Sequence, residues 1–263
     1  MQQIAPNPAT SGAPKAPGQP KSRPNPALDA KPQQPREDYD WMGRHAAVLA
    51  TKDALSPEVV LVGDSITHFW SGSPEAGAYG EKGAQSWSSL FGDTRVLNLG
   101  FSADRTQNVL WRLEHGELDG LSPRLVVLLI GTNNLVGEPG FDRACSPAEI
   151  AEGVFGLVAV IREKAPAATI VVMGVFPSGE SPADPFRSQI VELNARLAHR
   201  CSSLPGITFL DIGEKFLAPD GSLRADLMPD FLHPCESGYA LWADALAKVM
   251  KKTGQSRTMT GAL

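Results

Sequence analysis

The alternation of strand-like and helix-like segments constrains this chain more than any other feature of its sequence. From Val59 onward, short runs of β-branched and aliphatic residues alternate with segments of helical periodicity. The predicted strands are Val59–Val62, Arg95–Leu99, Leu125–Ile130, Thr169–Gly174 and Ile207–Leu210. Strands that alternate with helices form a parallel sheet that is covered on both faces. We therefore predict an α/β fold, a three-layer α/β/α sandwich with a five-stranded parallel sheet.

The clearest helix signal follows Ser146. Ser146 is a predicted N-cap, Pro147 suits the first turn, and Glu149 completes a capping box. The apolar residues that follow recur at helical spacing and form one face, namely Ile150, Val154, Leu157, Val158 and Ile161. This helix is expected to start directly after Ser146 and to pack on the sheet.

Composition sets the domain boundaries and excludes several functions. Residues 1–38 hold nine of the 22 prolines and no aromatic residue, so we predict a disordered proline-rich tail there. One domain is expected over residues 39–251, followed by a frayed C-terminal tail over residues 252–263.

A net charge of −5 argues against nucleic-acid binding, which needs a basic surface. No apolar run approaches the ~20 residues that span a bilayer.

Two features leave the cellular compartment open. Cys145, Cys201 and Cys235 match no zinc-binding pattern, and they allow either one disulfide with a free thiol or three thiols. The opening Met1-Gln2-Gln3 is not followed by the apolar region of an intact signal peptide. It suits an exported enzyme, periplasmic or extracellular, whose signal peptide was removed. The alternative is the flexible leader of a cytoplasmic protein.

Four polar motifs stand where the predicted strands end or shortly before the last helix. They are Gly63-Asp64-Ser65-Ile66-Thr67, Asn98-Leu99-Gly100-Phe101, Gly131-Thr132-Asn133-Asn134 and Asp230-Phe231-Leu232-His233. In parallel α/β sheets, ligands bind beyond the carboxyl ends of the strands. The four motifs are therefore expected to meet at that edge of the sheet.

The motifs contain the groups that acyl transfer requires. Ser65 is a candidate nucleophile, because a helix N-terminus favours the negative charge that develops there. His233 is a candidate base and Asp230 its orienting partner, since a D-x-x-H spacing lets one turn present both side chains to each other. The Asn133 amide and the backbone N–H groups of Gly100 and Ser65 are candidate oxyanion donors. Each residue also has a structural interpretation, as a helix cap or a turn former, that the sequence leaves open.

Taken together and in this order, the motifs resemble those of the SGNH hydrolase superfamily, also called GDSL esterases, over roughly residues 40 to 250. The resemblance is greatest to the platelet-activating factor acetylhydrolase branch, through the stretch Val109-Leu110-Trp111-Arg112-Leu113. It implies a flavodoxin-like fold and hydrolysis of small acyl esters without a metal or other cofactor. It also implies a catalytic triad and an oxyanion hole, and it favours a homodimer. The implied triad is Ser65, Asp230 and His233, and the implied oxyanion hole is Ser65, Gly100 and Asn133.

The residues near the motifs suggest the substrate class. The turn Ser102-Ala103-Asp104-Arg105 replaces a glycine-rich turn of the mammalian subunits and is expected to place the Arg105 cation near the mouth of the site. That position disfavours a choline phospholipid and favours an acetylated sugar or a similar polar alcohol. The alternatives are a lysophospholipase or thioesterase, a phospholipid acetylhydrolase, or a non-catalytic interaction protein. The expected substrate contacts are Asp64, Phe101, Arg105, Asn134 and Phe231.

Overall fold

A computed structural model describes residues 24–74, 80–137 and 143–260, with side chains up to residue 252. Five strands form one sheet in the order β2-β1-β3-β4-β5, and every pair is parallel. The strands are β1 Val59–Gly63, β2 Val96–Gly100, β3 Leu125–Leu129, β4 Thr169–Met173 and β5 Ile207–Leu210. The helices are α1 Trp41–Leu55, α2 Ser65–His68, α3 Ala84–Phe91, α4 Thr106–Arg112, α5 Pro147–Lys164, α6 Pro185–Cys201 and α7 Glu236–Thr260. The predicted α/β fold with its five-stranded parallel sheet is confirmed.

The sheet order creates a topological switch at β1. The chain pairs β2 on one side of β1 and then returns to pair β3 on the other side. The carboxyl ends of these three strands are level, because Gly63 is the register partner of both Gly100 and Leu129. The crevice at such a switch is where open α/β sheets bind their ligands.

The helices cover both faces of the sheet. Along β1, Val60 and Val62 pack into a core with α1, α4, α5 and α6, whereas Val59 and Leu61 pack with α3 and α7. This alternation follows from the two-residue period of a strand, and burial on both faces explains the nearly continuous apolar runs. β5 lies at the edge and is less buried than the other strands.

Helix α5 forms as its local sequence predicts. The Ser146 Oγ accepts a hydrogen bond from Glu149 N at 3.3 Å, and Glu149 Oε2 accepts one from Ser146 N at 2.9 Å. Pro147 occupies the first turn, where a missing N–H leaves no donor unsatisfied. The predicted apolar face of this helix is buried.

The predicted tail boundary at residue 38 does not coincide with the structure. Residues 24–40, which we call the N-terminal strap, belong to the described structure, and Pro26–Leu28 within them pack on α4 and α5, whereas residues 1–23 lie outside the described residues. Ala27 is fully buried, and its carbonyl accepts a hydrogen bond from Thr106 Oγ1 at 2.8 Å. Gly153 of α5 permits this approach, since a Cβ there would lie 2.8 Å from the Ala27 carbonyl oxygen. Proline also loses little conformational freedom when it becomes ordered, which favours such packing.

The C-terminal boundary differs as well. The backbone of α7 continues to Thr260, and residues 261–263 lie outside the described residues. The sequence after residue 251 lacks proline and includes helix-forming Lys, Gln, Arg and Met, so the helix need not end there. All three cysteines are free thiols. Within the described ranges, no helix has the length and apolarity needed to cross a bilayer.

Candidate active site

Ser65 is the first residue of α2 and follows a tight turn at the end of β1. Only glycine fits at position 63, because a Cβ there would lie 2.2 Å from Thr67 Oγ1 and 2.4 Å from the Leu129 carbonyl oxygen. Asp64 caps α2, and its Oδ1 accepts a hydrogen bond from Ile66 N at 2.9 Å. Burial raises the pKa of Asp64 to about 7, although the Ile66 N–H opposes this shift. The turn therefore holds Ser65 at the carboxyl end of β1.

Ser65, His233 and Asp230 form a continuous chain of hydrogen bonds. Ser65 Oγ lies 2.8 Å from His233 Nε2, and His233 Nδ1 lies 2.8 Å from Asp230 Oδ2. Because the ionised carboxylate can only accept, the ring proton belongs on Nδ1, and this leaves Nε2 as the acceptor for the serine hydroxyl. The other carboxylate oxygen of Asp230 accepts hydrogen bonds from the backbone N–H groups of Leu232 at 3.1 Å and His233 at 2.7 Å. The D-x-x-H segment thus forms one turn in which the two side chains face each other.

The electrostatic environment favours a neutral imidazole beside an ionised carboxylate. Burial lowers the pKa of His233 below its ordinary value, against the opposing effect of Asp230, and the positive charge of Lys82 lowers it further. Burial alone would raise the pKa of Asp230, but the hydrogen bonds from His233 and Leu232 hold it below its usual range. Near neutral pH, this pair is ready to accept the serine proton.

Phe69 and Lys82 lie beside the histidine. The Phe69 and His233 ring centroids are 5.0 Å apart, and Lys82 Nζ lies 5.0 Å from the Phe69 centroid. Lys82 is exposed and comes soon after the undescribed residues 75–79. Sequence reasoning missed Lys82, because no motif marks an isolated surface lysine. The structure identifies it as a cation close to His233.

Gly100 lies where predicted, but its N–H is already engaged. It donates to Asn98 Oδ1 at 2.8 Å, and a Cβ at Gly100 would lie 2.2 Å from His68 N. The glycine therefore permits β2 to approach α2, and its amide is not aimed at a ligand. This placement does not support the predicted oxyanion role of Gly100.

The next turn, residues 101–104, brings a different amide to the same edge. Phe101 N donates to the Gly63 carbonyl at 3.0 Å, which attaches the turn to the end of β1. Ala103 adopts a left-handed conformation with φ of 61°, an uncommon state for a residue other than glycine. Asn133 Nδ2 donates to the Asp104 carbonyl at 2.9 Å, so the predicted amide donor sits beside Ala103. The sequence carries one signal for this amide, because the family resemblance implies that residues 102–105 replace a glycine-rich turn.

A buried charge cluster supports the turn from below; it consists of Asp104, Arg112, Glu117 and His45. Arg112 Nε donates to Asp104 Oδ2 at 2.8 Å, and its Nη1 donates to Glu117. Glu117 Oε1 lies 2.8 Å from His45 Nδ1, and Trp41 Nε1 donates to Asp104 Oδ1 at 2.7 Å. Burial raises the pKa of Asp104 to about 7, although Arg112 and Trp41 favour its ionised form. Every polar group of the Asp104 side chain thus has a partner.

Four of the five expected substrate contacts are buried within the fold. Asp64 and Phe101 are 1% and 0% exposed, and the Phe101 ring packs under the Arg112 guanidinium at 3.8 Å. Asn134 is fully buried, with its Oδ1 accepting from Thr106 N at 3.0 Å. These side chains meet structural needs of the turns that carry them, so their placement does not support the expectation that they contact substrate.

The same correction applies to Arg105. Its side chain is 4% exposed, and Nη2 donates to the Val136 carbonyl at 2.7 Å, so its charge does not stand at the mouth of the site. Phe231 remains a candidate contact, since it is partly exposed in the turn between Asp230 and His233. Among the described residues, no group of three or more His, Cys, Asp or Glu side chains is placed to hold a metal ion.

Comparison with known proteins agrees with this architecture. Residues 61–241 match the GDSL-like Lipase/Acylhydrolase family. Platelet-activating factor acetylhydrolase IB subunit alpha1 of Homo sapiens is 31% identical over 231 residues, which cover 88% of this chain and 89% of that protein. Among solved structures, a GDSL-like lipase from Bacteroides thetaiotaomicron superposes with a TM-score of 0.61 at 18% identity, covering 79% of this chain and 98% of the other. An acetylxylan esterase from Geobacillus stearothermophilus gives 0.54 at 21% identity, covering 73% and 93%.

The two structural neighbours share the fold at low identity, whereas the match to the family extends over most of the chain. The chain therefore belongs to the GDSL-like lipase/acylhydrolase family and is a carboxylic ester hydrolase.

Proposed function

We propose that the protein is a serine esterase that removes short acyl groups, chiefly acetyl, through an acyl-enzyme. The observation that carries this proposal is the pair of 2.8 Å hydrogen bonds that join Ser65 to His233 and His233 to Asp230. Ser65 is the nucleophile, His233 the general base and Asp230 the residue that orients and stabilises the imidazole. Nucleophile and base within hydrogen-bond reach, with the base oriented by a third group, are the geometric signature of covalent catalysis.

We expect three donors to hold the oxyanion. They are the backbone N–H groups of Ser65 and Ala103 and the side-chain amide of Asn133. The Asn133 nitrogen carries two hydrogens, and its bond to the Asp104 carbonyl uses one of them. Ala103 replaces Gly100 in this role, because the Gly100 N–H is bound to Asn98. A strained left-handed residue at this position is consistent with a functional constraint.

The reaction follows from these positions. His233 takes the Ser65 proton as Oγ attacks the ester carbonyl, and the resulting oxyanion lies among the three donors. When the tetrahedral intermediate collapses, the ester C–O bond breaks and His233 gives its proton to the departing alcohol. Water, deprotonated by His233, then attacks the acyl-enzyme, and the carboxylic acid leaves with Ser65 restored.

The electrostatics at the site support a polar alcohol as the leaving group. The buried Arg105 no longer argues against a choline phospholipid, but the exposed Lys82 does, because its charge already acts on His233. A quaternary ammonium group near Lys82 would be repelled, whereas the hydroxyl groups of an acetylated sugar would not. The structural neighbour from Geobacillus is named as an acetylxylan esterase, which supports this substrate class.

A second candidate is a phospholipid acetylhydrolase. The 31% identity to the human platelet-activating factor acetylhydrolase subunit favours it, because that relative matches most of the chain. The same catalytic residues would serve either substrate, so only the group that carries the acetyl ester differs.

Release of acetate from three substrates separates these proposals. The substrates are an acetylated xylo-oligosaccharide, acetylated sialic acid and an acetylated choline phospholipid. For each one, kcat/KM is measured with the wild-type protein and with Ser65→Ala. We expect a preference for one of the two sugars, abolished in Ser65→Ala. A preference for the phospholipid would establish the second candidate.

A series of 4-nitrophenyl esters should show activity falling from acetate to longer chains, and a rise would indicate a lysophospholipase or thioesterase. Failure of a fluorophosphonate to label the folded protein would leave a non-catalytic role.

A further inference from the structure

We propose that Gln33 of the N-terminal strap is a positioning residue for the reaction, because it orients the peptide N–H of Ala103 toward the oxyanion. The inference rests on the proposed esterase function and deepens it. It assigns a role in the active site to a segment that precedes the first strand of the sheet.

The key contact joins the strap to one peptide group of the turn. Gln33 Nε2 donates to the Ser102 carbonyl oxygen at 3.0 Å, and Gln33 is only 6% exposed. The Ser102 carbonyl and the Ala103 N–H belong to the same planar trans peptide, so they point in opposite directions. A donor that holds the carbonyl toward the strap therefore holds the N–H away from the strap.

Neighbouring contacts keep the strap itself in place. Lys31 N donates to the Gln107 carbonyl at 3.3 Å, Asn108 Nδ2 donates to the Lys31 carbonyl at 3.2 Å, and Thr106 Oγ1 donates to the Ala27 carbonyl at 2.8 Å. These bonds attach the strap to the first residues of α4, directly after the turn. Gln33 is thus held at both ends, by the strap backbone and by the turn.

The hydrogen bond from Gln33 also makes the Ala103 N–H a stronger donor. A hydrogen bond to the Ser102 carbonyl polarises the peptide group and strengthens its N–H as a donor to an anion. The left-handed conformation of Ala103, with φ of 61°, is unfavourable by itself and needs support from its surroundings. Without Gln33, the buried carbonyl would lose its partner and the peptide would be free to rotate.

The test compares two strap variants in the full chain. Gln33→Met keeps the volume of the side chain and removes the donor. Asn25→Ala is the matched control, because Asn25 Nδ2 bonds to the Glu149 carbonyl at 3.1 Å and to Glu152 Oε2 at 2.8 Å, away from the turn. Both variants are assayed for kcat and KM on 4-nitrophenyl acetate, for inhibition by a trifluoromethyl ketone that forms an oxyanion with the serine, and for the urea midpoint.

Removing a whole oxyanion donor lowers kcat by roughly 10²–10³-fold, so loss of its orientation should lower kcat by about tenfold with KM within about twofold. Affinity for the ketone should fall by a similar factor, whereas Asn25→Ala should keep both values whatever its effect on the urea midpoint. Equal kcat losses in the two variants, or a wild-type kcat in Gln33→Met, would overturn the inference. If Gln33→Met does not fold, Gln33→Ala carries the same expectations. An active Ser65→Ala would instead refute the proposed function itself.

Discussion

Removal of the cation from the buried charge cluster should destabilise the protein strongly. The Arg112 side chain is fully buried, and its guanidinium donates to Asp104, to Glu117 and, at 3.2 Å, to the Leu99 carbonyl. Arg112→Met keeps much of the apolar volume but removes the charge and these hydrogen bonds. Two fully buried carboxylates, Asp104 and Glu117, would then remain with no arginine between them.

The magnitude follows from what stays behind. Breaking a buried ion pair by removing one partner typically lowers the free energy of unfolding by about 3–5 kcal/mol. Here Trp41 still donates to Asp104 and His45 still faces Glu117, so we expect the lower end, about 3 kcal/mol near neutral pH. Burial already raises the pKa of Asp104 to about 7, and this pKa should rise further in the variant, because the arginine that favours the ionised carboxylate is gone. A group whose pKa is raised in the folded state stabilises the folded protein at low pH, and this contribution is lost as the pH increases. The difference in the free energy of unfolding between wild type and Arg112→Met should therefore shrink toward about pH 5.

Urea denaturation of the full chain at about pH 8 and about pH 5 measures this difference. Arg196→Met is the control, because Arg196 forms an i,i+4 ion pair with Glu192 in which the side chains are 49% and 52% exposed. An exposed pair of this kind contributes about 0.5 kcal/mol or less. A loss below about 1 kcal/mol for Arg112→Met at pH 8, or a loss that does not change with pH, would refute the reasoning.

Four further predictions concern the site and the strap. Asp230→Asn should lower kcat by up to about 10⁴-fold, yet less than His233→Ala does, because the imidazole remains but loses its orienting charge; steady-state kinetics on 4-nitrophenyl acetate would rank the two. Activity should rise with pH through a midpoint below about 6.5, since the pKa of His233 is lowered and the base acts only when neutral. Lys82→Met should move that midpoint upward, less so at high salt, and an unchanged pH profile would contradict the role of Lys82. A chain that begins at Pro24 should keep its urea midpoint, whereas one that begins at Glu37 should lose stability, because it lacks the buried contacts of Ala27 and Gln33.

The parts of the structure that were predictable from sequence depend on local signals. The five strands follow from β-branched runs, the α5 start follows from its capping box, and the Asp230–His233 turn follows from a three-residue spacing. Each of these signals depends only on residues that are close together in the sequence.

Tertiary contacts decided the features that sequence reasoning missed. The Gly100 N–H donates to the side chain of Asn98 two residues earlier, and that side chain is held in place by its own bonds to the Thr67 and Ser71 carbonyls of another segment. Arg105 was expected to place its cation near the mouth of the site, but the Val136 carbonyl comes within its reach on folding and binds it. The proline-rich composition predicted disorder up to residue 38, yet the strap finds partners on α4 and α5. In all three cases, the feature depends on a polar group in another segment of the chain, and the spacing of residues in the sequence does not predict that contact.

Identification of the residue that carries the acyl group tests the central claim most directly. Wild-type protein is mixed with 4-nitrophenyl acetate and quenched with acid within the first turnover, and the acetylated peptide is then sequenced by mass spectrometry. The proposed mechanism predicts acetyl on Ser65, and it predicts a kcat below about a thousandth of wild type in Ser65→Ala. Acetyl on another residue, or a Ser65→Ala variant that keeps about a tenth of the wild-type kcat, would contradict the proposed mechanism.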